Sequence, residues 1–449
     1  MNGNGGTGLN AKDLAVSIIV RLRTAGYVAY LTGGCVRDLL LGRTAKDFDV
    51  ATSAQPEELL RLFPGAGQVG AHFGVVLVRE DGSAAEKAQV EVATFRSDLE
   101  YRDGRHPEGV NFETDPRQDA LRRDFTINAL LLDPASGEVL DFVGGRADLD
   151  ARLIRAIGDP ERRFREDHLR LLRAVRFAAR LGFEIEPETF TAIPCLAPLI
   201  HSVSAERVRD EIARILTEGG ARRGFELLDA TGLLPEVLPA VAALKGVEQP
   251  PEYHPEGDVW THTMMMLDGL RTPSITLALG VLLHDIGKPA TFRVAERIRF
   301  DGHVEKGIEI AHALLTRLRF PHQVIEGVEA LIANHMKFME VARMRESTLK
   351  RFMRQPDFEG HMELHRLDCL SSHGGLENYE FVRRKQQEVP PEQLKPAPLL
   401  TGRELIAAGY RPGPAFGIVL SEIEDAQLEG RISTAAEAME LARRKLDTN

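Results

Sequence analysis

The sequence predicts an α+β fold, in which a small mixed β-sheet domain (the head) precedes a helical neck, a helical body and a further helical domain. Short apolar segments of strand and helix type alternate between residue 11 and about residue 145. From roughly Leu149 onward, the apolar residues recur at helical spacing to the end of the chain. With 43% apolar residues among 449, the chain can bury substantial cores, and this length corresponds to about three domains.

Composition excludes several classes of protein. A formal net charge of -11 argues against a surface that is basic throughout, so any nucleic-acid surface must be local. Cys35, Cys195 and Cys369 lie far apart, which argues against a disulfide framework or a cysteine zinc site. The N-terminus lacks a signal-peptide pattern, and no apolar run approaches membrane-spanning length. We therefore expect a cytoplasmic protein with no membrane partner.

The head should contain two early helices and a series of short strands. Helical periodicity predicts helices over Ala11–Ala25 and Pro56–Phe63. Strands are expected in these segments: Tyr27–Leu31, Phe48–Ala51, Gly74–Arg79 and Gln89–Phe95, followed by the apolar stretches Ile127–Leu132 and Val139–Phe142.

Composition also indicates where the chain divides. Two proline-rich segments, Glu248–Pro255 and Val389–Pro398, are typical of linkers, and Leu399–Asn449 reads as a compact helix-turn-helix packing element. The predicted regions are a disordered Gly/Asn-rich tail (1–10), the head (11–148), the helical neck and body (149–250), a metal-binding domain (251–390) and a C-terminal helical tail (391–449).

A pair of aspartates follows a glycine-rich turn in the head. Asp47 and Asp49 are two residues apart on a predicted strand, so both side chains should face one side and could hold two divalent cations. Upstream, Gly33 and Gly34 leave room for a phosphate at the start of a short helix expected over residues 36–41. Either pair alone also fits an ordinary surface turn, but the full run indicates a nucleotidyl-transfer site.

Glu91 is a candidate third carboxylate for this metal site. It alternates with Val90 and Val92 on a predicted strand and therefore faces away from them. A solvent-facing glutamate on a half-exposed strand explains the pattern equally well.

A second polar run in the head offers groups that suit a nucleoside triphosphate. Arg122 and Arg123 can pair with triphosphate oxygens, Asp124 can accept a hydrogen bond from a ribose hydroxyl, and Asn128 adds an amide. A solvated basic helix start is an equally good interpretation of this run by itself.

Three motifs together resemble the family of class II tRNA nucleotidyltransferases and bacterial poly(A) polymerases. They are the run from Gly33 to Asp49, the run Arg122–Ala129, and Glu166-Asp167-x-x-Arg170, and the resemblance covers about residues 25 to 225. It implies that Asp47 and Asp49 bind catalytic Mg²⁺. It also implies that Gly33, Gly34 and Arg37 contact the triphosphate and that Asp124 reads the ribose.

The resemblance further implies template-independent addition of C and A, from CTP and ATP, to the 3′ end of tRNA. Asp167 and Arg170 would then read the base edge. Asp offers only acceptors and Arg only donors, which complements the amine and ring nitrogen of C or A and rejects U and G. On one helix these two residues would share a face. A surface ion pair is the alternative if the motif is considered alone.

The stretch from Arg162 to Arg180, interpreted as one helix, contains seven arginines and two acids. Arg173, Arg176 and Arg180 recur on one helical face, where they could contact nucleotide or RNA phosphates or simply face solvent. A following helix, capped by Ser204, is expected to buttress this base-reading region.

The segment Arg96–Phe112 is long and polar enough to be a mobile loop. It resembles the loop with which family members switch to adding A, which argues against an enzyme that adds only C. Full CCA addition, A-only addition and poly(A) tailing all remain compatible with the sequence.

Six residues in the second half could ligate metal ions. His262, His284, Asp285 and Asp368 resemble the ligand set of the HD phosphohydrolase superfamily, with His303 and His335 as ligands of a second metal. Imidazole and carboxylate suit Mn²⁺, Fe²⁺, Co²⁺, Ni²⁺ or Zn²⁺, although buried histidines are often only structural. The nearby Lys288 could contact a phosphoryl group in a phosphatase or cyclic phosphodiesterase. A phosphohydrolase whose N-terminal half only binds RNA is the alternative function of a different class.

Overall fold

The computed structural model describes residues 10–45, 47–68, 74–79, 88–99, 104 and 109–447. The tail expected over residues 1–10 lies outside this range except for Asn10, which caps the first helix. Most of the central part of the expected mobile loop, including Tyr101, Asp103, Arg105 and Pro107, also lies outside it. The chain divides into two compact units, and the boundary between them lies between Ala242 and Ala243. The finer domain boundaries stay a prediction.

The first unit contains a mixed seven-stranded sheet, which confirms the predicted α+β class. Strand order in this sheet is β3-β4-β5-β2-β1-β8-β9. The strands of the unit are β1 (Ala29–Thr32), β2 (Asp49–Thr52), β3 (Gly67–Gln68), β4 (Val75–Arg79), β5 (Gln89–Thr94), β6 (Arg96–Asp98), β7 (Val110–Phe112), β8 (Leu131–Leu132), β9 (Val139–Leu140), β10 (Leu153–Ile154) and β11 (Glu184–Ile185).

Parallel pairing within this sheet occurs between β2 and β5, in register Asp49 with Glu91 and Val50 with Val92. Val50, Val92 and Leu31 of β1 are fully buried, because alternate side chains of these central strands face the core. Asp49, the first residue of β2, and Glu91, the third residue of β5, are therefore neighbours on one face of the sheet. This register fixes the candidate metal site on rigid backbone.

The described residues of the first unit form twelve helices. They are α1 (Ala11–Thr24), α2 (Gly34–Leu40), α3 (Pro56–Leu62), α4 (Pro116–Leu121), α5 (Gly145–Ala151), α6 (Pro160–Glu166), α7 (Arg170–Leu181), α8 (Pro187–Leu196), α9 (Ala205–Thr217), α10 (Ala221–Ala230), α11 (Leu233–Val237) and α12 (Pro239–Ala242), with short 3-10 turns at Thr126–Asn128 and Ala197–Ser202.

Two expectations about where helices and strands lie from residue 149 onward are wrong. Strands do not stop at Leu149, because β10 and β11 form a parallel pair beyond it. The stretch from Arg162 to Arg180 is not one helix, because α6 ends at Glu166 and α7 begins at Arg170. Asp167 has an extended backbone, and its side chain accepts a hydrogen bond of 3.2 Å from the Leu169 amide, which competes with a continuous helix.

As far as residue 447, the second unit is helical apart from the two-residue strands β12 (Arg293–Val294) and β13 (Ile298–Arg299), which again contradict the expectation of helix alone. Its helices are α13 (Val259–Gly269), α14 (Ile275–Leu283), α15 (Lys288–Thr291), α16 (His303–Arg317), α17 (His322–Asn334), α18 (Glu346–Met353), α19 (Phe358–Ser371), α20 (Glu377–Glu388), α21 (Pro391–Leu394), α22 (Gly402–Ala407), α23 (Pro414–Leu428) and α24 (Ala435–Leu446), with a 3-10 segment at His335–Arg343.

The C-terminal segment forms three helices around its own small core rather than a two-helix element. Leu405, Val419, Ile423 and Ala438 are among the buried residues of that core. Arg351 of α18 contacts α23 through Glu424 and Asp425. Within the described residues, no helix combines the length and the apolar character that crossing a bilayer requires.

Candidate active sites

Gly33 lies at the start of α2, directly against the candidate metal site. Its φ of 74° is in the left-handed region, and a Cβ there would lie 3.5 Å from Asp49 Oδ2 and 3.6 Å from Arg123 Nη1. The helix begins at Gly34, two residues earlier than expected, so both glycines belong to its amino end. A glycine here keeps space open between the aspartate and the arginine.

The three predicted catalytic carboxylates have different surroundings. Asp49 is half-buried at the first position of β2 and lies beside Glu91, whereas Asp47 precedes the strand and is exposed. The expectation that both aspartates lie on one strand is therefore wrong, because β2 begins only at Asp49. Burial and the neighbouring Glu91, with a smaller contribution from Asp47, raise the pKa of Asp49 to about 6 despite the opposing charge of Arg123.

A divalent cation would remove this repulsion, so the donor set fits Mg²⁺, which prefers carboxylate oxygens. Among the described residues, the carboxylate oxygens of Asp47, Asp49 and Glu91 are not gathered within 4.8 Å of one another. The ligand atoms of this site are thus farther apart than those of the histidine site described below.

A cavity of about 470 Å³ opens next to Asp49. All eleven residues predicted to bind nucleotide line it: Gly33, Gly34, Arg37, Arg122, Arg123, Asp124, Asn128, Asp167, Arg170, Arg173 and Arg176. Asp47 and Glu91 do not belong to the lining. Sequence reasoning missed the contribution of Phe177 and Arg214 to this wall, and it placed Arg180 only on a helical face.

A buried aspartate organises the two adjacent arginines of the cavity. Asp119 on α4 accepts hydrogen bonds from Arg122 through Oδ1 and from Arg123 through Oδ2, at 2.5–3.1 Å. Burial alone would raise the pKa of Asp119, but the two guanidinium groups hold it below its usual range. The position of Asp119 three and four residues before the arginines was the available sequence signal.

Asp124 is buried and bonded on both carboxylate oxygens. Oδ1 accepts from the Phe125 amide and from Asn128 Nδ2, at 2.8 and 3.2 Å. Oδ2 accepts from Arg173. The amide oxygen of Asn128 in turn accepts from Arg37 Nη1 at 2.7 Å. The residues expected to hold ribose and triphosphate therefore form one connected network.

The expected base-reading pair does not share one helix. Asp167 lies in the gap between α6 and α7, where Arg207 of α9 contacts both of its oxygens at 3.2 and 2.9 Å. Arg170 begins α7 and donates to Glu166 at 2.8 Å. Both side chains line the cavity, but each is held by a different partner.

The basic face of α7 is paired internally instead of being presented as free charge. Arg173 bonds Asp124, and Arg176, which is only 3% exposed, donates to Glu211 of α9 at 2.5 Å. Arg180 lies 3.4 Å from both Asp38 and Glu218. These contacts join α9 to α7. Ser204 is the N-cap residue of α9, but its side chain makes no capping hydrogen bond. The local surplus of arginine therefore stabilises the cavity wall.

The six predicted metal ligands of the second unit converge in two groups. His262, His284 and Asp368 form one group, and Asp285, His303 and His335 form the other, each with ligand atoms within 4.8 Å. Asp285 connects the groups, because Oδ2 lies 3.1 Å from His284 Nε2 while Oδ1 lies 3.8 Å from both His303 Nε2 and His335 Nε2. His284 and Asp285 follow the end of α14 at Leu283 rather than lying within the helix.

Every histidine of these groups is oriented through its Nδ1 atom. The Nδ1 atoms of His284, His303 and His335 lie 2.7–3.0 Å from backbone carbonyl oxygens of residues 281, 300 and 332. His262 Nδ1 lies 2.7 Å from Glu256 Oε1. Such contacts fix a histidine with Nε2 available to a metal.

Buried polar atoms and pKa shifts are consistent with cations at this centre. The Nε2 atoms of His262 and His284 are buried, and each lies 3.1 Å from a carboxylate oxygen, of Asp368 and Asp285 respectively. Burial lowers the pKa of His335 to about 4, which keeps its imidazole neutral. Burial opposes protonation of His262, but hydrogen bonds with Asp368 and Glu256 raise its pKa to about 9. A metal would replace that proton, so the residues fit divalent transition metals.

The first proline-rich segment belongs to this site and is not simply a linker. Gln249 accepts a hydrogen bond of 2.7 Å from Lys288 Nζ, which also lies 2.6 Å from Asp285 Oδ2. His254 and Glu256 extend the histidine network. Sequence reasoning missed these three residues, although His254 and Glu256 shortly precede His262. The second proline-rich segment contains α21.

The sequence matches three family models in succession. A poly(A) polymerase head domain covers residues 29–155, a probable RNA- and SrmB-binding site of polymerase A covers 182–245, and an HD domain covers 254–370. The CCA-adding enzyme of Geobacillus stearothermophilus is 46% identical over 219 residues, which are 49% of this chain and 53% of that protein. The chain thus spans about half the length of such curated relatives.

A longer alignment decides the family. The CCA-adding enzyme of Levilactobacillus brevis is 32% identical over 433 residues, covering 95% of this chain and 96% of that protein. This chain belongs to the CCA-adding enzyme family. A solved structure of the Bacillus stearothermophilus CCA-adding enzyme in complex with CTP has a TM-score of 0.74 at 28% identity, covering 98% of this chain and 99% of that chain.

Membership of the CCA-adding enzyme family confirms the resemblance seen in the motifs of the head. The HD match covers all six candidate ligands of the second unit, from His262 to Asp368. The chain therefore joins a polymerase-type head to an HD domain, as the two sets of motifs predict.

Proposed function

We propose that this protein adds C and A residues, taken from CTP and ATP, to the 3′ end of tRNA without a nucleic-acid template. The observation that carries the proposal is the single cavity that unites Asp49 with every predicted nucleotide-binding residue. The CCA-adding enzymes among its relatives and the CTP complex of a structural neighbour support it. Because tRNA is the proposed substrate, we infer that the protein acts in the cytoplasm.

Asp47 and Asp49, with Glu91 beside them, are the residues that would hold Mg²⁺. Two such ions, when bound, would activate the RNA 3′-hydroxyl and stabilise the leaving pyrophosphate. Arg122 and Arg123, already oriented by Asp119, bind the triphosphate as bidentate donors. The glycines at the start of α2 leave the backbone close to it.

Base choice follows from groups whose orientation is fixed before the nucleotide binds. The Asp167 carboxylate accepts from the exocyclic amine of C or A, and Arg170 donates to the ring nitrogen. Arg207 and Glu166 hold these two side chains in place. A uracil or guanine edge would leave polar groups in the cavity unpaired, which gives strong discrimination.

Product analysis tests this function directly. The protein is incubated with Mg²⁺, all four nucleoside triphosphates and tRNA that lacks its CCA end, and the products are sized and sequenced. Defined CCA ends are expected. Addition only to tRNA that already ends in CC would identify an A-adding enzyme, and long A tails would identify a poly(A) polymerase. No incorporation into any RNA would favour a phosphohydrolase with an RNA-binding N-terminal half.

A second activity, hydrolysis of phosphoesters at the HD centre, is supported by the two ligand groups that share Asp285. His262, His284, Asp285 and Asp368 would hold one metal, and His303 and His335, with Asp285, would hold a second. Mn²⁺, Ni²⁺, Co²⁺ or Fe²⁺ at this centre would supply Lewis-acid activation of a water and a phosphoryl oxygen. Lys288 supplies a buried ammonium beside Asp285.

Hydrolysis assays with each of these metals test the second activity. Nucleoside 2′,3′-cyclic phosphates and RNA with a 3′-terminal phosphate are the substrates. We expect turnover with at least one metal, and none after chelation. A protein that binds these metals but hydrolyses neither substrate would contradict the proposed hydrolase.

A further inference from the structure

A short hairpin borders the HD cavity, and its sequence is rich in arginine. The arginine hairpin, residues 293–299, pairs β12 with β13 in register Arg293 with Arg299 and Val294 with Ile298. Arg297 and Arg299 line a cavity of about 720 Å³ that also contains His284, Asp285 and His335 of the metal groups. The two arginines are therefore within the same cavity as the candidate reaction centre.

Contacts within the fold do not explain why this hairpin carries several arginines. Arg293 and Arg299 are directly opposite, and like charges in that position destabilise a strand pair. Arg293 has Asp301 at 3.4 Å. In the described part of the chain, neither Arg297 nor Arg299 has an ion-pair partner, and both are exposed. Their cationic groups remain available to an anion in the cavity.

An apolar shelf forms another part of the cavity wall. It consists of Tyr253, Met336 and Met339, whose exposed fractions are 53%, 48% and 52%. Met336 directly follows the metal-ligand candidate His335. Aromatic and thioether groups bind the flat face of a nucleobase and tolerate all four bases. Exposed apolar groups that cluster beside a cavity are typical of ligand-binding sites.

The base of the hairpin is connected to the metal centre. Phe292 and Phe300 pack against each other with ring centroids 5.9 Å apart. Lys288 Nζ lies 5.2 Å from the centroid of Phe300 and 2.6 Å from Asp285. The base of the hairpin is thus connected to Asp285 through Phe300 and Lys288.

We propose that the arginine hairpin and the apolar shelf form a subsite for the nucleoside part of a phosphoester whose reacting phosphate lies at the histidine groups. Arg297 and Arg299 bind the adjoining phosphate or ribose oxygens, and the shelf contacts the base. The inference rests on the proposed phosphohydrolase function and adds the determinant of its specificity. It makes the HD cavity selective for nucleotides over small phosphoesters.

Photolabelling tests the subsite without requiring turnover. The full chain, with metal removed by chelation, is irradiated with 8-azidoadenosine 3′-phosphate, and labelled peptides are identified by mass spectrometry. We expect label in the segments that contain Tyr253 or residues 336–339. The double variant R297A/R299A should reduce that label about tenfold, whereas Arg293→Ala, on the same hairpin but outside the cavity lining, should not change it. Label confined to the head, or unchanged by R297A/R299A, would overturn the inference.

Kinetics separate this inference from the hydrolase itself. With metal restored, R297A/R299A should raise KM for adenosine 2′,3′-cyclic phosphate about tenfold and leave the turnover of bis(p-nitrophenyl) phosphate within about twofold of wild type. Equal losses on both substrates would contradict a nucleoside subsite. Absence of all hydrolysis in the wild-type protein would reject the hydrolase, while the labelling result would still decide whether the subsite exists. The retained turnover of bis(p-nitrophenyl) phosphate by the variant shows that its HD unit is folded.

Discussion

Arg173 donates two hydrogen bonds to Asp124 Oδ2, of 2.8 Å from Nε and 2.5 Å from Nη2. This contact joins α7 to the polar run that precedes the Thr126–Asn128 turn. Burial would raise the pKa of Asp124, but Arg173 lowers it well below its usual range, so the carboxylate stays ionised. The arginines of α7 thus pair with acidic residues of their own unit. The cavity is therefore organised before a nucleotide binds.

Substitution of one aspartate in each unit should separate the two proposed activities. Asp49→Ala should abolish nucleotide addition, because a metal-binding carboxylate is lost, while hydrolysis at the HD centre continues. Asp285→Ala should abolish hydrolysis, because it removes the carboxylate shared by both ligand groups, while CCA addition continues. Incorporation of labelled CTP and ATP, and release of phosphate, are measured on the same preparations. Asp47→Ala should match Asp49→Ala.

Loss of both activities through either substitution, in a protein with an unchanged melting temperature, would contradict two independent sites. Far-ultraviolet circular dichroism provides the control for folding.

Asp119→Asn should weaken both triphosphate binding and stability. Asp119 is 1% exposed and pairs with Arg122 and Arg123, so its loss leaves two guanidinium groups without their shared carboxylate. Breaking a buried ion pair costs about 3 kcal/mol, and we expect KM for CTP to rise about tenfold. Asp115→Asn is the matched control, because it keeps an exposed helix cap on the same helix.

The cost of Asp119→Asn should depend on pH. The folded-state pKa of Asp119 is below its unfolded value, so the carboxylate stabilises the fold fully above about pH 4 and progressively less below it. Denaturant unfolding should therefore give a constant difference between wild type and variant from about pH 5 to 8, which shrinks as the pH falls below about 4. A difference that grows on acidification would contradict this assignment.

Local motifs were predictable from the sequence, whereas the partners of their side chains were not. The glycines, Asp49 and the arginines lie within short runs, so spacing alone could identify them. Asp167 and Arg207 are 40 residues apart, and only the packing of α9 on α7 brings them together. The break at Asp167 was missed because the apolar spacing around it is strongly helical. The side-chain contact that ends the helix there is visible only in the structure. Glu256 and Gln249 were missed because proline-rich sequence is typical of linkers.

Arg207→Ala should relax base selection more than it weakens nucleotide binding. Arg207 contacts both oxygens of Asp167, so its removal frees the carboxylate to adopt other orientations. We expect incorporation of UMP relative to CMP to rise about tenfold, with KM for CTP changed by less than about threefold. Arg207→Lys should restore part of the selectivity. Unchanged selectivity in Arg207→Ala would remove its positioning role.

Glu256→Gln should lower the metal affinity of the HD centre by about 10- to 100-fold, as loss of a carboxylate behind a histidine ligand does elsewhere. Glu256 lies 2.7 Å from His262 Nδ1 and 2.9 Å from His254 Nδ1. Titration with Mn²⁺ or Co²⁺ measures the affinity, and the exposed Glu248→Gln provides the control in the same loop. Equal affinities in the two variants would show that Glu256 does not orient the ligand.

Gly287→Ala should damage the HD centre through backbone packing alone. A Cβ at Gly287 would lie 2.0 Å from the His303 carbonyl oxygen and 2.6 Å from the Gly307 amide nitrogen, so α16 must move. Overpacking of this kind costs about 1–3 kcal/mol, and the movement displaces His303 from Asp285. Metal content and unfolding free energy should both fall. Gly417→Ala, on α23 with no atom within 4 Å of the added methyl, should instead stabilise the chain by up to about 1 kcal/mol. A Gly287→Ala protein with full metal content would show that α16 tolerates the shift, and that the close approach at Gly287 does not set the ligand geometry.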